Sequence, residues 1–196
     1  MKHKKALLIV DVQIDFCPGG ALAVPDGDRV VMVLNQWIRL FQRKKNHIFA
    51  SRDWHPSHSR HFKEFGGIWP CHCVQNTQGA EFHPDLNLPK DVYIISKGTH
   101  QDDEGYSALK GTDQNNHDLQ SILESEDIKA LYVGGLATDY CVKYSAIDAA
   151  QAVIETYVIV DAVRAVGLKE HDEREAKVGM KKAGVKFVTL KDMILL

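Results

Sequence analysis

Cysteine is scarce in this chain: Cys17, Cys71, Cys73 and Cys141 are the only four among 196 residues. Four are too few for the dense disulfide framework of a small secreted domain, so reduced thiols and a cytoplasmic location are expected. Long apolar runs are also missing. The first, Ala6 to Val10, stops after five residues at Asp11. It follows a basic Met-Lys-His-Lys-Lys start but is too short for a secretory core or a membrane span. Charge of one sign is lacking too: 24 Lys and Arg against 26 Asp and Glu leave a net charge of -2. That balance offers no electrostatic footprint for nucleic acid, and neither nucleic acid nor membrane is expected as a partner. No internal repeat, low-complexity tract or dividing linker interrupts the chain, which reads as one domain over residues 1–196. No pattern encodes an oligomeric state.

What is present is a series of short apolar runs separated by helical patterns. Residues 6–12, 47–52, 91–96, 130–134, 156–160 and 186–190 read as strands dense in Leu, Ile and Val. Residues 28–43 carry apolar side chains at helical spacing, and 138–153 and 169–183 read as further helices. Thr138 or Asp139 is a plausible N-cap for the second, and Gly184 a C′ residue for the third. Strands alternating with helices predict a doubly wound α/β fold with a mainly parallel sheet. The exception is 54–90, a long, weakly periodic segment holding four of the six prolines and the histidine cluster His55, His58, His61 and His72. A loop of that length in a compact domain is usually functional.

Ligands of a parallel sheet bind beyond the carboxyl ends of its strands. The polar residues that follow the apolar runs therefore converge: Asp11, then Asp53 and His55, then Lys97, then the turn leading to Cys141. A cysteine in a first helical turn, beside an ammonium, is expected to have a lowered thiol pKa. Asp11 suits the proton transfers of such a nucleophile, and backbone N–H groups around Ala137 and Cys141 suit an oxyanion. Taken singly, Cys141 reads as a small buried hydrophobe, Asp11 as a cap and Lys97 as a surface lysine; only their joint placement favours chemistry. Asp53 and His55, two apart in an extended segment, point to one side. With His61, Glu64 and His72 they offer carboxylate and imidazole donors suited to Zn, Fe or Mn. A structural zinc knot at Cys71, His72 and Cys73 competes with this but lacks a second ligand pair.

Five segments in order along the chain carry a resemblance: DVQIDF from Asp11 with CPGGALAV after it, SRDWHP from Ser51, WPCHCV from Trp69, SKG from Ser96, and GGLATDYCV from Gly134. Together they resemble the nicotinamidase/pyrazinamidase branch of the isochorismatase-like cysteine hydrolases. The resemblance implies a three-layer α/β/α sandwich around six strands, with a triad of Asp11, Lys97 and Cys141. It also implies one divalent metal ion, zinc ahead of iron or manganese, on Asp53, His55 and His72, with His61 or Glu64 as a fourth ligand. A cis peptide between Leu136 and Ala137 is implied, as are aromatic walls from Phe16, Trp69 and Tyr106, whose alternative is plain core packing. The implied reaction converts nicotinamide, or pyrazinamide-type analogues, to the acid and ammonia through a thioester. Another amidase or ureido hydrolase of the superfamily, or a silent metal-binding α/β protein, are the alternatives. Cys71 departs from the small residue or proline common at its position.

Overall fold

A first strand buried on both faces must be covered from both sides, and this decides the architecture. In the computed structural model, which describes residues 4–194, β1 (Lys4–Val10) sends Leu7 and Ile9 into one core and Ala6, Leu8 and Val10 into another. Met1 to His3 of the basic start lie outside the described residues. The other strands are β2 (His47–Asp53), β3 (Tyr93–Lys97), β4 (Ile128–Leu136), β5 (Glu155–Arg164) and β6 (Lys186–Val188). They form one six-stranded sheet in the order β3-β2-β1-β4-β5-β6, and every ladder is parallel. The expected mainly parallel sheet is thus wholly parallel.

Helix α1 (Arg29–Arg43) covers one face with Leu34, Trp37, Ile38 and Phe41. Its Trp37 and Phe41 rings pack against Tyr132 of β4 at centroid distances of 5.5 and 5.6 Å. Helices α2 (Leu119–Ser125), α3 (Cys141–Gln151) and α4 (Asp172–Lys182) contribute to the core on the other face. The small side chains Ser145, Ala146 and Ala149 of α3 are all buried. The chain closes with α5 (Leu190–Ile194). Three layers result, α/β/α. Among the described residues no helix is long and apolar enough to cross a membrane.

Strand order reverses between β1 and β4. The crevice at such a switch point lies beyond the carboxyl ends of those two strands, where Asp11 follows β1 and Cys141 opens α3. The strands approach closely there: a Cβ on Gly135 would lie 2.0 Å from the Val10 carbonyl oxygen. Several elements differ from the sequence reading. α2 and α5 appear where no helix was expected, and β6 ends at Val188 rather than Leu190. α3 begins at Cys141 after Tyr140, without a side-chain cap. Neither Thr138 nor Asp139 caps it, because residues 138–140 form a turn and the Asp139 carboxylate accepts from Val166 and Gly167 N–H, each at 2.9 Å. Gly184 does follow α4, at φ +92°.

Candidate active site

Three side chains meet at the switch point, each placed by the end of a strand. Asp11 takes a left-handed turn directly after β1, at φ +50°, a conformation Asp tolerates better than most residues. Lys97 is the last residue of β3, and Cys141 the first of α3. All three are buried. The Lys97 ammonium donates to an Asp53 carboxylate oxygen, to the Gly105 carbonyl at 2.6 Å and to Cys141 Sγ at 3.4 Å. It also forms a buried ion pair with Asp11 Oδ2 at 2.7 Å. The other oxygen, Oδ1, accepts from the Ser51 hydroxyl at 2.7 Å.

Burial pushes the Asp11 carboxyl up, against the nearby Lys97 charge, to about 6. Burial opposes the charged form of Lys97, yet Asp11 and Asp53 outweigh it and hold the ammonium well above its ordinary value. The thiol departs from expectation. Lys97 does pull Cys141 down, but burial, with help from Asp11 and Asp53, raises it well above the ordinary thiol range. The thiol and the Asp11 carboxylate stand side by side, their ligand atoms within 4.8 Å of one another. Leu136–Ala137 is cis. The N–H groups of Ala137 and Cys141 donate to no backbone carbonyl recorded among the described residues.

Beside this group stands a cluster of imidazoles. His55, His61 and His72 bring ring nitrogens within 4.8 Å of one another. His55 Nδ1 pairs with the Gly98 carbonyl at 3.0 Å and His72 Nδ1 with that of Pro70 at 2.7 Å. Each bond fixes a tautomer whose Nε2 lone pair is free, the arrangement that prepares histidine to ligate. Those two Nε2 atoms lie 3.6 and 3.9 Å from Asp53 Oδ2, and His55 Nε2 is buried without a partner. One carboxylate and three imidazoles around an orphaned nitrogen fit a divalent ion well. Burial lowers His61 to about 3. Asp53 stays ionised: burial would raise it, but Lys97 and His55 hold it far below the carboxylate range. Glu64, by contrast, is exposed and joins neither cluster. Cys71 is exposed and Cys73 buried, and among the described residues no knot of the two with His72 forms.

A cavity lined largely by apolar side chains joins the two groups. Phe16, Trp69 and Tyr106 line it with His61, His72 and Cys141. Trp69 Nε1 donates to the Tyr106 hydroxyl at 3.0 Å, and Phe16 packs 5.4 Å from the His72 ring. Tyr140 and Val166 also line it, and neither was singled out from the sequence. Tyr140 stands edge-on to Trp69 at 4.8 Å. Two more supports went unread. Gln13 exchanges two amide hydrogen bonds with the Asp53 backbone at 2.8 Å and donates a third to the Ala80 carbonyl at 2.9 Å, and Asp15 accepts from Cys73 N–H at 2.7 Å, next to His72. The alternation in DVQID was the available signal, since residues 11, 13 and 15 all turn toward the site.

The Isochorismatase domain profile matches residues 5–192. The nicotinamidase of Escherichia coli (strain K12) is 39% identical over 205 residues, covering 96% of either chain. The pyrazinamidase of Pyrococcus horikoshii in complex with zinc is 46% identical, with a TM-score of 0.88 over 95% of this chain and 99% of that one. The yeast nicotinamidase bound to the inhibitor nicotinaldehyde aligns with a TM-score of 0.85 at 29% identity, over 94% and 99% of the two chains.

Proposed function

The chain belongs to the isochorismatase-domain family, and from that premise we propose that it is a nicotinamidase, hydrolysing nicotinamide and pyrazinamide-type analogues through a cysteine thioester. The observation that carries this reading is the buried Asp11 carboxylate beside the Cys141 thiol, with the Lys97 ammonium 2.7 Å from Asp11 Oδ2 and 3.4 Å from Cys141 Sγ. Proton acceptor, nucleophile and cation belong to three chain segments yet meet in one buried crevice.

Phe16, Trp69, Tyr106 and Tyr140 hold the flat ring, with the amide toward Cys141. As Sγ bonds to the amide carbon, its proton passes to Asp11 Oδ2. Charge that develops on the carbonyl oxygen faces the N–H groups of Ala137 and Cys141, a contribution of about 3–4 kcal/mol per donor at comparable sites. Asp11 then returns the proton to the departing nitrogen, and ammonia leaves a thioester. Water attacks that thioester, Asp11 accepts its proton, and nicotinate leaves as the thiol reforms. Lys97 keeps its charge throughout, stabilising negative charge at the sulfur and at Asp11. Asp53, His55, His61 and His72 would hold a divalent ion, zinc, iron or manganese. What such an ion supplies is an electrophilic anchor for a ring nitrogen.

The test is ammonia release from nicotinamide by the purified protein, before and after the metal is stripped. Release that falls on stripping and returns with zinc, iron or manganese is expected. No release under any metal loading would overturn the proposal and leave Cys141 in search of another amide.

A further inference from the structure

His72, which the reading above makes a metal ligand, is followed by a strained residue. Cys73 is buried and left-handed, at φ +45°, a conformation that persists in a non-glycine residue only where its surroundings over-determine it. Two hydrogen bonds hold it there. The Cys73 carbonyl accepts from His55 N–H at 3.0 Å, and Cys73 N–H donates to Asp15 Oδ2 at 2.7 Å. That N–H belongs to the planar peptide unit that His72 begins, so fixing it fixes the backbone that carries the imidazole.

The other carboxylate oxygen serves the substrate cavity. Asp15 Oδ1 accepts from Ala21 N–H at 3.2 Å, and the Asp15 carbonyl accepts from Leu22 N–H at 2.9 Å. Leu22 lines the cavity. Backbone closes the carboxylate in on a further side, where a Cβ on Gly79 would overlap it. Asp15 itself stands in neither the imidazole cluster nor the cavity wall. We propose that Asp15 is a positioning residue whose two carboxylate oxygens brace both halves of the site, one fixing the peptide behind His72 and the other the turn that carries Leu22. The proposal deepens the nicotinamidase reading and rests on the metal and ring sites assigned there.

Asp15→Asn separates the two contacts, because it keeps one acceptor oxygen and sets an NH2 group against the other N–H. A buried N–H left unpaired costs more than one that water reaches. The oxygen therefore stays on Cys73, and the exposed Ala21 bond is lost. Asp15→Ala loses both. Glu173→Ala, which breaks only an exposed pair on α4, controls for the lost charge. Zinc affinity of the metal-stripped protein is read by competition with a chromophoric chelator. It falls about tenfold or more in Asp15→Ala, as for other groups that orient a ligand, and stays within about threefold in Asp15→Asn. Amide hydrogen exchange, followed by mass spectrometry without substrate, quickens over residues 20–22 in both variants and over 72–74 in Asp15→Ala alone. With zinc bound, KM for nicotinamide rises about threefold or more in both variants. Glu173→Ala leaves all three readouts unchanged. Zinc affinity that is unaltered in Asp15→Ala, or reduced equally in Asp15→Asn, would overturn the proposal, as would unchanged exchange over 20–22 or an unchanged KM. If Asp15→Ala fails to fold, Asp15→Asn decides by its retained zinc affinity and quickened exchange over 20–22 alone. If the unaltered protein releases no ammonia, the amidase reading fails, and zinc affinity and amide exchange decide the role of Asp15.

Discussion

Replacing Ser51 by Ala tests the proton-transfer role of Asp11 without touching Asp11 itself. The Ser51 hydroxyl donates to Asp11 Oδ1 at 2.7 Å in a fully buried setting, and it lowers the carboxyl against the upward push of burial. Hydrogen bonds to charged groups contribute about 1.5–3 kcal/mol, and about 1.4 kcal/mol corresponds to one pH unit. Ser51 is the weakest of the influences acting on Asp11, so the lower end applies and the shift is about one pH unit. The sign is upward: with a donor lost, the ionised form is less favoured, and a base that titrates near 6 stays protonated to higher pH. The acid limb of kcat/KM, which reports the free enzyme, moves with it. Ammonia release should fall about eightfold at pH 5.5, about twofold at pH 7 and not at all at pH 9. Equal loss at every pH would mean that Ser51 only supports packing. An unmoved acid limb would remove Asp11 as the proton acceptor.

Cys141→Ala should abolish ammonia release while its melting temperature stays within about 2–4 °C; appreciable turnover by a folded variant would sink the covalent route. His72→Ala should purify with less metal, because second-ring support alone is worth about 10–100-fold in metal affinity and a ligand at least as much. Full occupancy by elemental analysis would refute the ligand assignment. Tyr106→Phe keeps the ring and removes the acceptor for Trp69 Nε1, a loss of about 1 kcal/mol that raises KM about fivefold with kcat preserved. An unchanged KM would take Tyr106 out of the ring-binding wall.

The sheet was legible because parallel strands covered on both faces read as unbroken apolar runs, as at Ala6 to Val10. Asp11, Lys97 and Cys141 were legible for a related reason: each is a polar residue where an apolar run gives way at one edge of the sheet. Short or polar elements were not. α2 has only seven residues, too few for a helical period to show. β5 runs on to Arg164, past polar Asp161, because its pairing with β4 shifts register between Val133 and Gly135. The thiol was misjudged because helix position and the Lys97 charge can be read from spacing, whereas complete burial cannot. Gln13 and Ser51 went unread for one reason. Gln13 acts on backbone groups and Ser51 on a carboxylate that only the folded chain brings near, and no spacing rule points to them. Among the fourth-ligand candidates, His61 and Glu64 are three residues apart, and only the turn between them sends one inward.

Strand order also bears on how the molecule comes into being. Asp11, Asp53, Lys97 and Cys141 stand at intervals of 42, 44 and 44 residues, one per passage across the sheet. Synthesis runs from the N-terminus, so the ribosome completes His72 69 residues before Cys141. Yet β1, central in the finished sheet, has β2 on one side and waits for β4 on the other. Until residue 136 has emerged, an apolar strand is left with one open edge, the condition under which nascent chains stick to one another. The same late strand that closes this edge leads directly to Cys141, so one passage of chain both completes the pairing of β1 and brings Cys141 to the crevice.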